Sequence, residues 1–258
     1  MNMFKFLRVV VLLLILLAVA SNHFLGQARL ASWENTLWVT IYPIAMDGQA
    51  ATRGYIQALQ PEKFEEISDF VSREARRHGV ALADPVHFQL APPVGSVPPP
   101  PPRDGNRVSV GLWSLKMRWW AWRQSSNDGL PTADIRLFVQ YRAARDGVVL
   151  DSSLGMRKGR YGVVNAFASN GQAAMNRVVI AHELMHVLGA TDKYELYSGQ
   201  PTEPEGLGDP VKSPLYPQIR AEIMGGRIAL SPFQARMPSS LQRCVIGAVT
   251  AREIGWLE

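Results

Sequence analysis

The stretch HELMHVLGATDKY, residues 182–194, sets two imidazoles four residues apart with a carboxylate between them, followed by Gly189 and Asp192. Positions four apart on a helix project from one side, so His182 and His186 can reach one ion at the ~2.0–2.1 Å that zinc requires. Glu183 lies one step round the helix, too close to be a comfortable third ligand but well placed to accept a proton from a water on the ion. A catalytic zinc site needs a third protein ligand and keeps a fourth position open. None of the other histidines, His23, His78 and His87, follows the pair. A glycine at 189 can end the helix in a left-handed turn and bend the chain so that Asp192 comes beneath the same ion. Two other readings compete. The histidines can belong to a solvated helix face without metal, or the third ligand can be a later glutamate, although Glu203 and Glu205 fall in the loop QPTEPEGLGDP.

The pair needs a helix under it. Ala174, Val178, Ala181, Met185 and Leu188 recur at spacings of four, three, four and three, which predicts a helix over 172–188 with that stripe on a core. Upstream, strands and helices alternate. LWVTIYPI (37–44), VHFQLA (86–91) and ADIRLFVQYRA (133–143) have strand composition, and residues 147–167 read as a hairpin bending in GMRKGR. PEKFEEISDFVSREARRHG (61–79) carries proline at its start, acids early, bases late and glycine after, all helix cues. The expected fold class is therefore α/β (α+β).

Two segments are harder to assign. The prolines of 92–102 exclude a central strand and predict an exposed spacer loop in polyproline II conformation. VGLWSLKMRWWAWR (110–123), wound as a helix, puts Leu112, Leu115, Trp119 and Trp122 on one face and Trp113 and Trp120 near Lys116 and Arg123 on another. Packing on both sides is the plain expectation. A membrane-surface or ligand-contact role for Trp113 and Trp120 is the sharper one.

The N-terminus reads apart from the rest. Lys5 and Arg8 precede the apolar run Val9 to Ala20, shorter than the ~20 residues a spanning helix usually needs, with AVA at 18–20 as a cleavage signal. Residues 1–20 are expected to be a signal peptide or an N-terminal membrane anchor. Either way the domain, residues 35–258, is exported, to be periplasmic, extracellular or membrane-anchored facing outside. At 258 residues, 47% hydrophobic and 19% charged, the chain can bury a sizeable core. Its formal charge of +5 becomes +3 without Lys5 and Arg8, and its cations are scattered, so no nucleic-acid partner is implied. The single cysteine, Cys244, forms no intramolecular disulfide and reads as a buried small hydrophobe.

H-E-x-x-H-x-x-G-x-x-D resembles the metzincin zinc peptidases, in the snapalysin-like variant with aspartate as last ligand. The resemblance implies Zn²⁺ on His182, His186 and Asp192, with Gly189 turning the chain beneath the metal. It further implies a methionine turn in AEIMGGR (221–227) with Met224 under the ion, a C-terminal helix near Ser239 to Gly255, and a mixed twisted sheet. The edge strand of that sheet binds substrate above the cleft, and YGVVNAFAS (161–169) or its hairpin partner is the candidate. The implied activity is peptide-bond hydrolysis of a peptide or protein substrate, with Glu183 taking the water's proton and returning it to the leaving amine. Tyr194, Tyr197, Tyr216 and Arg227 are candidates to stabilise the oxyanion. The alternative from another class is an exported, non-catalytic binding module of the cell envelope that zinc stabilises. A closed four-ligand site would favour it, whereas three ligands and an intact Glu183 favour chemistry.

Overall fold

β-Branched and aromatic runs form the strands, and amphipathic runs cover them. The computed structural model describes residues 3–102, 106–126, 128–144, 153–156 and 159–258. In chain order these give α1 (Met3–Ser32), β1 (Leu37–Ala45), α2 (Ala50–Gln57), α3 (Glu65–Arg77) and β2 (Val86–Leu90). Next come α4 (Arg107–Ser125), β3 (Ile135–Arg142), β4 (Leu154–Met156), β5 (Tyr161–Phe167) and α5 (Ala173–Leu188). The last part holds the short strands β6 (Ala221–Glu222), β7 (Ile228–Ser231), β8 (Gln234–Arg236) and β9 (Cys244–Val245), then α6 (Ala248–Glu253).

Five strands make one mixed sheet in the order β2-β1-β3-β5-β4. The first four run parallel, and β4 pairs antiparallel with β5 at the edge. The α/β expectation and the mixed sheet hold. The hairpin of 147–167 appears as β4 and β5, with positions 145–152 and 157–158 outside the described residues. The candidate edge resolves to the hairpin partner, β4, because β5 is bonded on both sides.

Alternation along the strands feeds two cores. Leu37, Val39 and Ile41 of β1 and Ile135, Leu137 and Val139 of β3 face the larger one, with Ile67, Phe70 and Val71 of α3 and Ala181, Leu184 and Met185 of α5. The opposite face of the sheet packs Tyr42, Ile44, Phe138 and Tyr161 against Met117, Trp120 and Ala121 of α4. So α5, which carries the histidine pair, and α4, which carries the tryptophans, lie on opposite faces.

Three expectations are corrected. Helix α4 packs on one side only: Trp120 is buried and Trp113 half-buried, while Leu112, Leu115, Trp119 and Trp122 stand out in solvent. Both stripes are apolar, so periodicity could not rank them. The proline segment is more than a spacer, since the Trp113 indole donates to the Pro99 carbonyl at 2.9 Å and the Trp120 indole to Ser96 Oγ at 3.0 Å. The C-terminal helix is also far shorter than 239–255. Cys244 and Val245 pair in parallel with Ala221 and Glu222 instead, and that pairing draws the chain extended before α6 begins. Cys244, buried as expected, therefore lies in a strand.

The N-terminal segment is one continuous helix whose last turns dock on the domain. Leu30 and Trp33 enter the larger core, Arg29 pairs with Asp134 at 2.6 Å, and the Trp33 indole donates to the Ile254 carbonyl at 2.7 Å. Toward its start, Phe4, Leu7, Leu12, Leu13, Leu14 and Leu17 are exposed. Among the described residues no helix is long and apolar enough to cross a membrane.

Candidate metal centre

Helix α5 is apolar on more than one side because it lies between the sheet and the C-terminal segments, and Ile180, Ala181, Leu184, Met185 and Val187 are all buried. This leaves His182 and His186 on the stripe facing the cleft. Gly189 ends the helix at φ 122°, a backbone angle open only to glycine without strain, and its N–H returns to the Met185 carbonyl at 2.9 Å. The turn brings Asp192 back to the histidines. Its Oδ1 lies 3.3 Å from His182 Nε2 and 3.1 Å from His186 Nε2.

The far nitrogens fix both rings. His182 Nδ1 is 2.9 Å from the Ile223 carbonyl, and His186 Nδ1 is 2.9 Å from the Ala190 carbonyl. A carbonyl can only accept, so each Nδ1 carries a proton, and in a neutral ring Nε2 then offers a lone pair. Two lone pairs and a carboxylate oxygen converging at these distances repel one another unless a proton or a metal cation lies among them. Four ligands at about 2.0–2.1 Å in a tetrahedron stand about 3.3 Å apart, close to both observed separations. The donor set fits a zinc-like ion. Among the described residues it is the one group of three or more His, Cys, Asp or Glu whose ligand atoms all lie within 4.8 Å of one another.

Charge balance follows the same geometry. Burial alone would raise the Asp192 carboxyl, but the two imidazoles bring it well below the usual carboxylate range. For His186, burial works downward, and Asp192 with the Ala190 carbonyl outweighs it, so the imidazole is raised. Glu183 is 4% exposed, and burial pushes its carboxyl up against the pull of His182 and His186. Among the described residues its Oε2 has no hydrogen-bond partner. An unpartnered, buried carboxylate oxygen beside a metal site is the atom type that a general base requires.

The segment under the site is held by a carboxylate that sequence reading missed. Glu222 accepts from the Met224, Gly225 and Gly247 amides and from the Thr250 hydroxyl, so one buried side chain ties the 222–225 turn to α6. Met224 is fully buried in that turn, and its carbonyl accepts from Lys193 N–H at 2.9 Å. A second missed pair is Lys193 and Glu253. The Lys193 side chain is 3% exposed, its Nζ lies 2.7 Å from Glu253, and Glu253 also accepts from the Thr191 N–H and hydroxyl. Sixty residues separate the two in sequence, and no local pattern announces such a pair.

β4 lies directly over the helix. A Cβ on Gly155 would stand 2.4 Å from His186 Cβ and 2.7 Å from the Glu183 carbonyl oxygen, so the edge strand approaches α5 as closely as a backbone can. Beside His182 opens a cavity of about 340 Å³ lined by Val178, Val179, Tyr194, Ile223, Arg227 and Met237 among others. Of the oxyanion candidates, Tyr194 and Arg227 line this cavity, and Tyr197 is fully exposed at its rim. Tyr216 hydrogen-bonds Glu203, and that glutamate is not among the residues clustered with the two histidines.

No family model and no curated protein matches the chain. Among solved structures it is similar to wild-type OgpA from Akkermansia muciniphila, with 11% identity and a TM-score of 0.36 over 83% of this chain and 58% of that one. The same shares and identity, with a TM-score of 0.37, relate it to catalytically inactive OgpA in complex with an O-glycopeptide (glycodrosocin) substrate. The chain thus spans 58% of the length of those structures.

Proposed function

We propose that the chain is an exported zinc-dependent endopeptidase of the metzincin type, with His182, His186 and Asp192 as ligands and Glu183 as general base and acid. One observation carries the reading: two imidazole Nε2 atoms, each with its Nδ1 capped by a carbonyl, meet Asp192 Oδ1 beside an unpartnered, buried Glu183 carboxylate oxygen. Zinc, when bound there, acidifies a water and polarises the scissile carbonyl. The chain's own residues do the rest. Glu183, raised by burial, holds a proton more readily than a solvated carboxylate and passes it from water to the leaving amine. Among the described residues β4 is paired on one side only, and its other side accepts an extended peptide as an added strand, which sets the scissile bond over α5. The cavity beside His182 receives an apolar side chain, and Arg227 and Tyr194 at its wall are donors for developing oxyanion charge.

The test is metal analysis of the purified chain together with cleavage of a diverse peptide library. One equivalent of zinc and peptide-bond cleavage are expected, and Glu183→Gln should keep the zinc while losing nearly all hydrolysis. A zinc-loaded chain that cuts no peptide, with an indistinguishable Glu183→Gln form, would establish the non-catalytic binding module. Loss of zinc in Glu183→Gln would make Glu183 a ligand and refute its assigned role.

A further inference from the structure

The outer face of α4 is unusual among the surfaces of this molecule. Val108, Leu112, Leu115, Trp119 and Trp122 recur at spacings of four, three, four and three, and at 100° per residue they fall within about 40° of one line along the helix. Their exposures are 68, 64, 65, 55 and 61%, so the whole stripe is presented to the exterior. The opposite side of the helix is committed to the fold through Met117, Trp120 and Ala121. Loss of the outer stripe would cost the core nothing.

The charges on α4 are arranged about that stripe. Lys116 and Arg123 lie about 60–80° to one side of it and Arg107 and Arg118 about 80–100° to the other, and residues 107–126 contain no acid. The Arg123 guanidinium is 5.5 Å from the centre of the Trp119 ring, where its stem extends over apolar surface and its charge stays at the border. An apolar line with tryptophans, bordered on both flanks by cations, suits a boundary between hydrocarbon and anionic headgroups.

Position agrees with charge. The C-terminal end of α4 meets the start of β3, where Ser125 Oγ accepts from Arg136 at 2.9 Å, and α1 docks on the same strand end through Arg29 and Asp134, two residues away. The helix that exposes Phe4, Leu7, Leu12, Leu13, Leu14 and Leu17 therefore joins the domain beside the end of α4.

We infer that α4 is an interfacial helix, and that its Val108–Leu112–Leu115–Trp119–Trp122 stripe docks the domain on an anionic lipid surface. The metal centre then lies on the far face of the sheet, turned toward the aqueous side. This inference stands apart from the peptidase reading and does not require it.

Nitroxide labels on Leu115→Cys, Trp119→Cys and, on the opposite side of the sheet, Glu62→Cys test it in the full chain, since buried Cys244 is not expected to take label. Each is mixed with vesicles of phosphatidylcholine alone or with phosphatidylglycerol, and collision with oxygen is compared with collision with a water-soluble nickel chelate. With phosphatidylglycerol present, labels 115 and 119 should favour oxygen and label 62 the chelate. Adding Lys116→Glu and Arg123→Glu should weaken immersion by about fivefold or more for each reversed charge. Labels 115 and 119 left in water on anionic vesicles overturn the inference, and so does immersion indifferent to phosphatidylglycerol. Strong dipolar broadening between 115 labels at high lipid dilution would show the stripe covered by a second copy, which overturns it as well.

Discussion

Glu253→Ala should loosen the loop that carries Asp192, the proposed third ligand, without altering any of the three proposed ligands. The Glu253 carboxylate accepts from Lys193 Nζ at 2.7 Å, Thr191 N–H at 3.0 Å and Thr191 Oγ1 at 2.6 Å, so three bonds clamp the residues on either side of Asp192. Truncation leaves an ammonium that is 3% exposed with only the Thr191 carbonyl at 3.0 Å. Breaking a fully buried pair costs about 3–5 kcal/mol; because the glutamate side is 26% exposed, water returns part of that, and we expect about 2–3 kcal/mol. At roughly 2–4 °C per kcal/mol for a domain of this size, the melting temperature should fall by roughly 4–12 °C. Chelator competition should show weaker metal retention too, because Asp192 loses its frame. Lys193→Met with Glu253→Leu should recover at least half the melting loss, since no charge is then left buried. The pH dependence has a definite sign. Burial raises the Glu253 carboxyl, but Lys193 and Thr191 bring it below its ordinary value, so its contribution is present above about pH 4.3 and lost as pH falls through the lowered folded value. An unchanged melting temperature and chelator midpoint in Glu253→Ala would refute the clamp.

Asp192→Ala should surrender metal to a mild chelator that the parent resists, whereas Asp192→His should retain it; equal retention in Asp192→Ala would place the third ligand elsewhere. Gly155→Ala puts a methyl 2.4 Å from His186 Cβ, and overpacking of about 1–3 kcal/mol should lower the melting temperature and displace the edge strand; an unaltered melting curve would contradict that contact. Burial pushes the Cys244 thiol up to about 12, so a thiol reagent near neutral pH should react with one equivalent only after unfolding, and prompt reaction of the folded chain would show the strand to be accessible.

The candidate site was legible because its parts are local. His182, Glu183, His186, Gly189 and Asp192 fit within eleven residues, and helix geometry plus one glycine turn determines where they meet. Strands β1, β2 and β3 announce themselves by composition. What escaped depends on contacts between distant segments. Glu222 and the Lys193–Glu253 pair read as ordinary charges until Thr250, 28 residues on, and Glu253, 60 residues on, fold back against them. The two faces of α4 are both apolar, so only the sheet decides which is inside. Likewise the spacing of Leu241, Cys244, Val245 and Ala248 suits a helix, yet pairing with Ala221 and Glu222 holds Cys244 and Val245 extended.

The carbonyl of Ile223 that orients His182 and the carboxylate of Glu253 that steadies Asp192 both emerge from a ribosome after the residues they serve. A nascent chain can wind α5 and expose both imidazoles, but its affinity for an ion remains incomplete until the segment from Ile223 to Glu253 has been made and has folded back. Synthesis thus carries its own timer. On the reading proposed above, a peptidase assembled in this order stays inert toward neighbouring chains until residues 223–253 are in place.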